Sequence, residues 1–277
     1  MDEIVLDEFL PLEYAGHSSK GNQLKWKADN IWYKADYMGY ESLAEVVVSG
    51  LLAYSDVEDY VRYLPVEIQY KGKKYMGCKS NSFLGEGEEF VTAEHLFRQW
   101  KGGSLSAEMS KIPNVEGRIE YMVENVINFT GLVQFGKYIA IILAMDAFFL
   151  NEDRHTNNIG VIYEMETKTY RLSPVFDNGL ALLADTMTDF SLEKSLEECM
   201  KRVEAKPFSR NFDEQLDAAE KLYGSNMHFS FGKKEVDRVL ESCVCKYSDE
   251  IIGRVRDLLY FQMRKYQYMF NSHNVIK

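Results

Sequence analysis

Apolar and polar positions change rhythm along the chain. Between Glu13 and Ala35 the apolar residues partly alternate, with Leu24 and Trp26 before Asp29-Asn30 and Ile31-Trp32-Tyr33 after it. Alternation on both sides of an Asp-Asn pair predicts two strands joined by a turn. From Tyr40 to Tyr54, Leu43, Val46, Val47, Gly50 and Leu51 recur at helical spacing. That predicts a helix whose acids Glu41 and Glu45 stand one turn apart on one edge. Val66 to Tyr70, then Lys71-Gly72-Lys73-Lys74, then Tyr75 to Cys78 reads as strand, turn, strand. The first ~100 residues are therefore expected to form a small sheet with one or two helices.

The rhythm shifts after Lys101-Gly102-Gly103-Ser104, a stretch whose glycines mark a passage between two parts, 1–104 and 105–277. Beyond it, helical periods run over 115–130, 133–150, 213–223, 233–242 and 247–270. One hairpin interrupts them, with a strand at Ile159 to Tyr163 and a turn between Glu164 and Lys168. The expected class is α+β, β-rich first and mainly α afterwards. The most apolar stretch, Tyr138 to Leu150, carries Asp146 and is too short to cross a hydrocarbon layer of about 30 Å, so it is expected to be a buried helix. Integral membrane association is not expected. In the last helix Leu258, Leu259, Phe261, Met263, Tyr266 and Phe270 are expected to pack into the core.

Composition supports an ordered chain: 46% of the residues are hydrophobic and 27% charged, with 5 prolines and 18 glycines. A net charge of -11, from 43 acidic and 32 basic residues, repels polyanions and makes nucleic acid an unexpected partner. Lys20, Lys25, Lys27 and Lys34 can still hold phosphates locally, because screening confines a charge to roughly 10 Å. The start, Met1-Asp2-Glu3-Ile4, has no basic flank or apolar run of a secretory signal, so a cytoplasmic location is expected. Cys78, Cys199, Cys243 and Cys245 form no CxxC pair, which speaks against zinc, and that location speaks against disulfides.

The residues with chemical promise flank the hairpin. Before it lies an unbroken polar loop, Asn151-Glu152-Asp153-Arg154-His155-Thr156-Asn157-Asn158; after it lies Pro174-Val175-Phe176-Asp177-Asn178-Gly179. Loops at the same end of one hairpin face each other. Singly, Asp, Asn and Gly are turn formers. Jointly, their spacing suits phosphoryl transfer, in which a protein positions nucleotide, nucleophile and magnesium. Asp153 would accept or orient the proton of a substrate hydroxyl. Asn158 and Asp177 would offer Mg²⁺ one neutral and one anionic oxygen, the hard donors that ion takes. Asn158 follows Asp153 by five positions, and Asp177 is followed by Asn178-Gly179, the order of the catalytic loop and metal-binding motif of protein kinases.

Asp153-Arg154-His155 with Asn158, then Asp177-x-Gly179, resembles the HipA-like kinases and their phosphoinositide-kinase-like relatives. The likeness is greatest to the compact, CtkA-like bacterial serine/threonine kinases. Gly16-His17-Ser18-Ser19-Lys20-Gly21 through Trp26, then Lys34 and Glu45, fall in the same order. The resemblance implies a two-lobed kinase fold binding ATP and magnesium in the cleft. It makes Gly16, Ser18, Ser19, Lys20 and Gly21 a phosphate-covering loop, whose glycines permit close backbone approach. It implies that Lys34 contacts the α- and β-phosphates and pairs with Glu45, chosen over Glu41 by motif order. It places the adenine hinge near Cys78 to Asn81. His155 and Arg154 either contact phosphate or brace the loop, and Asp146 is expected to brace it from the buried helix. Ser18 and Ser19 are either ordinary loop hydroxyls or sites of autophosphorylation. Protein serine or threonine hydroxyls are the implied substrates; a lipid or small-molecule kinase, or a nucleotide-sensing pseudokinase, are the alternatives. No segment matching the additional HipA subdomain precedes Glu13, so a HipB-like antitoxin is not an expected partner. The acids between Leu180 and Asp213 suggest an inhibitory cover or a partner surface.

Overall fold

The structure, a computed structural model, describes residues 3–9, 11, 23–243 and 246–270. In chain order the elements are β1 (Glu3–Val5), β2 (Lys25–Ala28), β3 (Ile31–Ala35), α1 (Glu41–Leu52), β4 (Leu64–Tyr70), β5 (Lys73–Asn81) and β6 (Glu88–Thr92). There follow α2 (Ala93–Lys101), α3 (Leu105–Ser110), α4 (Val115–Thr130), α5 (Phe135–Phe149), β7 (Gly160–Glu164) and β8 (Thr169–Leu172). The chain ends in α6 (Leu196–Met200), α7 (Phe212–Tyr223), α8 (Lys233–Glu241), α9 (Asp249–Lys265) and a 3₁₀ turn, Gln267–Phe270. Two compact units share these elements, one comprising residues 1–82, 177–203 and 228–277, the other 83–176 and 204–227.

The first unit is built on a five-stranded sheet in the order β1-β4-β5-β3-β2. Only β1 joins its neighbour in parallel. The β4–β5 turn is Lys71-Gly72, both left-handed at φ 50 and 73, which is the two-residue turn that matches strand twist and that glycine accommodates without cost. One face of the sheet buries Leu6, Trp26, Tyr33, Ala35, Val66, Ile68 and Tyr70, with Trp26 edge-on to Tyr70 at 5.2 Å. Alternation alone sorts these residues to one side. Helix α1 packs on β4 and β5 and against α8. Here α9 buries Ile252, Val255, Leu258 and Leu259, but Phe261, expected in the core, is 41% exposed. It falls outside that stripe, well round the helix from its centre.

The second unit combines the antiparallel sheet β6-β7-β8 with α2–α5 and α7. Helix α5 is buried nearly all round, from Phe135 to Phe149, as its unbroken apolar character dictates. The Gly102 that caps α2 at φ 78 and the Ser104 that caps α3 place the Lys101–Ser104 stretch between two helices of this unit. No helix among the described residues is long and apolar enough to cross a membrane.

Candidate active site

In the first unit the β2–β3 hairpin sets Lys25 directly opposite Lys34, and directly opposed residues share a face. Lys34 is 7% exposed and Glu45, on α1, is fully buried. Isolated in such surroundings, either charge would cost several kcal/mol. Instead Lys34 Nζ is hydrogen-bonded to Glu45, lies 2.7 Å from Asp177 Oδ1 and 3.4 Å from the Tyr63 hydroxyl. The Tyr63 ring adds a cation–π contact at 5.0 Å. Burial would drive the ammonium toward neutrality, but Asp177 and Glu45 prevail and hold its pKa well above the ordinary lysine value.

The acids on α1 divide the work by position. Glu41, in the first turn, accepts the backbone N–H groups of Tyr37, Met38 and Gly39 at 2.6–3.3 Å and so closes the loop before the helix. Glu45, one turn later, reaches Lys34 and also accepts the Asn178 backbone N–H at 2.9 Å. Asp177 itself is left-handed at φ 62, a conformation that aspartate tolerates better than most residues. Lys25 approaches the same Asp177 oxygen at 3.8 Å. The chain then runs through Ala181–Ala184, tied to α1 by Tyr40, whose hydroxyl donates to Leu182 O at 2.7 Å. Gly39 makes that fit possible, since a Cβ there would lie 2.1 Å from Ala184 O.

In the second unit the polar loop 151–158 is pinned at both ends. Asp146, on the last turn of α5, accepts from Asn151 Nδ2 at 3.1 Å and from Arg154 Nε and Nη2 at 3.1 Å. Arg154 Nη1 donates to Phe176 O at 2.8 Å, linking the loop to the segment after the hairpin. Both side chains of this ion pair are 1% exposed. Burial pushes the Asp146 carboxyl up, opposed by Arg154 and Asn151. Arg154 thus braces the loop, with its guanidinium enclosed. At the other end Thr156 Oγ1 donates to Glu94 Oε2 at 2.9 Å, and the same carboxylate accepts the Leu105 and Ser106 backbone N–H groups. Between these anchors Asp153 turns its carbonyl inward, accepting from His155 N at 3.0 Å and from Asn158 Nδ2 at 2.9 Å. That bond uses the amide nitrogen of Asn158 as the donor.

The structure therefore brings Lys34, Glu45 and Asp177 together in one unit, and Asp153, Arg154, His155 and Asn158 in the other. Gly16, Ser18, Ser19, Lys20 and Gly21 lie outside the described residues. Cys78 to Asn81 form the end of β5, where Cys78 and Lys79 have strand partners on both sides, and Ser80 and Asn81 on one. Asp185, read as part of an acidic cover, is 1% exposed and accepts the backbone N–H of Thr188 at 3.0 Å. It is a buried turn residue. Sequence reasoning passed over Tyr63, which belongs to no motif, and the proximity of Lys25 to Asp177, which lies far along the chain. It also passed over Lys206, whose Nζ stands 3.6 Å from Asp153 Oδ1; that segment had drawn notice only for its acids.

The donor set also bears on a metal. Among the described residues no three His, Cys, Asp or Glu side chains cluster as a cage. Magnesium held through nucleotide phosphates requires only one or two protein carboxylates or amides, and Asp177 and Asn158 are of that kind.

No family model matches the sequence, and no curated protein matches it. The fold is nevertheless that of a known enzyme. The crystal structure of a Helicobacter pylori proinflammatory kinase, CtkA, superposes with a TM-score of 0.64 at 17% identity, over 95% of this chain and 94% of that one. This chain has a kinase-type α+β fold, with a sheet-based part and a helical part.

Proposed function

We propose that this protein is a magnesium-dependent kinase that transfers the γ-phosphoryl group of ATP to serine or threonine hydroxyls of proteins, its own included. The observation that carries this reading is the buried Lys34–Glu45–Asp177 network on a kinase-type fold. Lys34 is held as a cation, against its burial, by the carboxylates of Asp177 and Glu45, which suits it to neutralise α- and β-phosphates. Glu45 orients it and, through the Asn178 N–H, fixes the backbone beside Asp177. Asp177 and Asn158 would hold magnesium, which when bound shields phosphate charge. Asp153, on its braced loop, would take the proton of the acceptor hydroxyl. Arg154 and Asp146 keep that loop in shape. The preference for protein over lipid or small-molecule hydroxyls rests on the likeness to serine/threonine kinases. The net charge of -11 also suits a lipid kinase poorly, since anionic membranes would repel it.

A second reading, an ATP-binding module without transfer, is favoured by the engagement of Asp177 with two lysines. Incubation with labelled ATP, magnesium and separate protein, lipid and sugar pools decides between the readings. Label is expected on serine or threonine of this chain or of added protein, and its loss is expected in Asp153→Asn, which keeps size and removes the carboxylate. Tight ATP binding with no incorporation would establish the second reading; label in lipid alone would change the substrate class.

A further inference from the structure

Lys206 sits in the loop before α7, far along the chain from the polar loop it meets. Its Nζ lies 3.6 Å from Asp153 Oδ1, and His155 Nε2 lies 3.7 Å from the same oxygen. Both ring nitrogens of His155 are buried and make no hydrogen bond among the described residues. Two nitrogen groups thus flank one oxygen of the carboxylate proposed as base. The lysine is half-exposed, at 36%, and the contact exceeds hydrogen-bond length.

The backbone around Lys206, by contrast, is firmly held. Ala205 and Phe208 are buried, and Ala205 N donates to Arg210 O at 2.9 Å. Gln215 Oε1 accepts the Phe208 and Ser209 N–H groups at 2.8 and 3.1 Å, while Arg118 Nη1 donates to Phe208 O at 2.7 Å. Fixed loop, half-exposed ammonium and adjacent carboxylate together form a preorganised cation at the place where a hydroxyl would be deprotonated.

We infer that Lys206 is a further catalytic residue, whose ammonium contacts the transferring phosphoryl group beside Asp153. This rests on the phosphoryl-transfer reading above. In the step the acceptor oxygen forms its bond to the γ-phosphorus while the bond from that phosphorus to the β,γ-bridging oxygen breaks. ADP leaves with that electron pair, and the hydroxyl proton passes to Asp153. Negative charge spreads over the three oxygens of the transferring group, and Lys206 stabilises it there. Before substrate arrives, the ammonium rests on Asp153.

The test compares initial rates of magnesium-dependent autophosphorylation for the wild type, Lys206→Met, Lys206→Arg and the surface control Lys201→Met. ATP affinity is measured by calorimetry and folding by the thermal midpoint. Lys206→Met is expected to lower the rate at saturating ATP by roughly 100-fold, the scale of losing one transition-state donor. Its ATP affinity should stay within about twofold and its midpoint should not move, as for a contact made only in the transition state. Lys206→Arg should recover about a tenth or more of the rate, because its charge reaches the same place. Lys201→Met should match wild type. A wild-type rate in Lys206→Met overturns the assignment while leaving phosphoryl transfer intact. A lowered midpoint in both Lys206 variants, with rates falling in proportion, makes the residue structural and overturns it too. If the wild type binds ATP yet transfers nothing, both readings fall.

Discussion

Asp36 shows how one side chain gives the molecule a pH dependence that its composition does not announce. Its carboxylate accepts the Ser42 N–H at 2.6 Å and the Tyr247 hydroxyl at 2.7 Å, at the start of α1. Burial pushes its pKa up to about 7, with the nearby Glu41 adding to the rise and the hydrogen bonds opposing it. The native state therefore keeps a proton that the unfolded chain releases near pH 4. The associated stability is complete below about pH 4 and is lost as the pH rises through 7, a change on the order of 2–4 kcal/mol. Asp36→Asn removes the titration, so urea midpoints of wild type and variant should diverge between about pH 4 and 7, with the wild type alone declining. Parallel curves would mean that the group titrates normally. Asp146 and Arg154 obey a different rule, because both are enclosed and each satisfies the other. Asp146→Ala strands the guanidinium and should cost about 3–5 kcal/mol. A double variant, Asp146→Leu with Arg154→Met, should cost much less than the sum of its single changes, as a double-mutant cycle by urea unfolding would reveal.

At the scale of elements, the candidate chemistry stands where one element ends and another begins. The polar loop leaves α5 at Leu150, whose left-handed φ of 55 ends the helix, and enters β7 at Gly160. Its far end is tied to α2 through Glu94, which is 7% exposed and gathers N–H and hydroxyl donors from Leu105, Ser106 and Thr156. Burial would raise the Glu94 pKa, but those hydrogen bonds lower it below the ordinary value. A depressed carboxylate contributes stability above the unfolded pKa of about 4.3, lost as the pH falls through the folded value. Glu94→Gln replaces an accepting oxygen with a donor facing donors, and should destabilise the protein by about 1–3 kcal/mol at neutral pH. The acid limb of its stability profile should flatten. Calorimetric unfolding at pH 3 to 7 measures both, and an unchanged acid limb would dissociate Glu94 from the effect. Helix α1 plays the matching part in the first unit, using Glu41 to close its entry and Glu45 to hold Lys34 and the Asn178 N–H.

For the molecule as a whole, the two units are discontinuous in sequence, so each depends on segments that the chain delivers late. A likeness at 17% identity over 95% of the chain shows that very different sequences can adopt this fold. Ligand linkage should make the proposed nucleotide visible as stability. Magnesium and ATP at about 100 times their dissociation constant should stabilise the fold by about 2.7 kcal/mol. Thermal unfolding should show that shift in the wild type and lose most of it in Asp177→Ala, if that carboxylate is the anionic ligand proposed for the metal. Equal shifts in the two proteins would count against the metal assignment.

The sequence by itself marked the longer helices α1, α4, α5, α7, α8 and α9 and the local order of the hairpins. The apolar run of α5, the period of α1 and the Lys71-Gly72 turn depend on residues a few positions apart, and such relations are written directly in a chain. The loops at 151–158 and 174–179 were legible as a pair for the same reason, because one short hairpin joins them; Arg154 meeting Phe176 O is its consequence. Lys34 and Asp177 could be singled out by their motifs, yet they lie 143 positions apart, and their 2.7 Å contact exists only because α1 and the sheet pack as they do. Tertiary structure alone decided that Glu41 takes backbone N–H groups, that Arg154 is enclosed, that Phe261 is exposed, and that Lys206 stands beside Asp153. Each of those outcomes turns on which distant surface a side chain meets, and periodicity, which records only near neighbours, carries no trace of that.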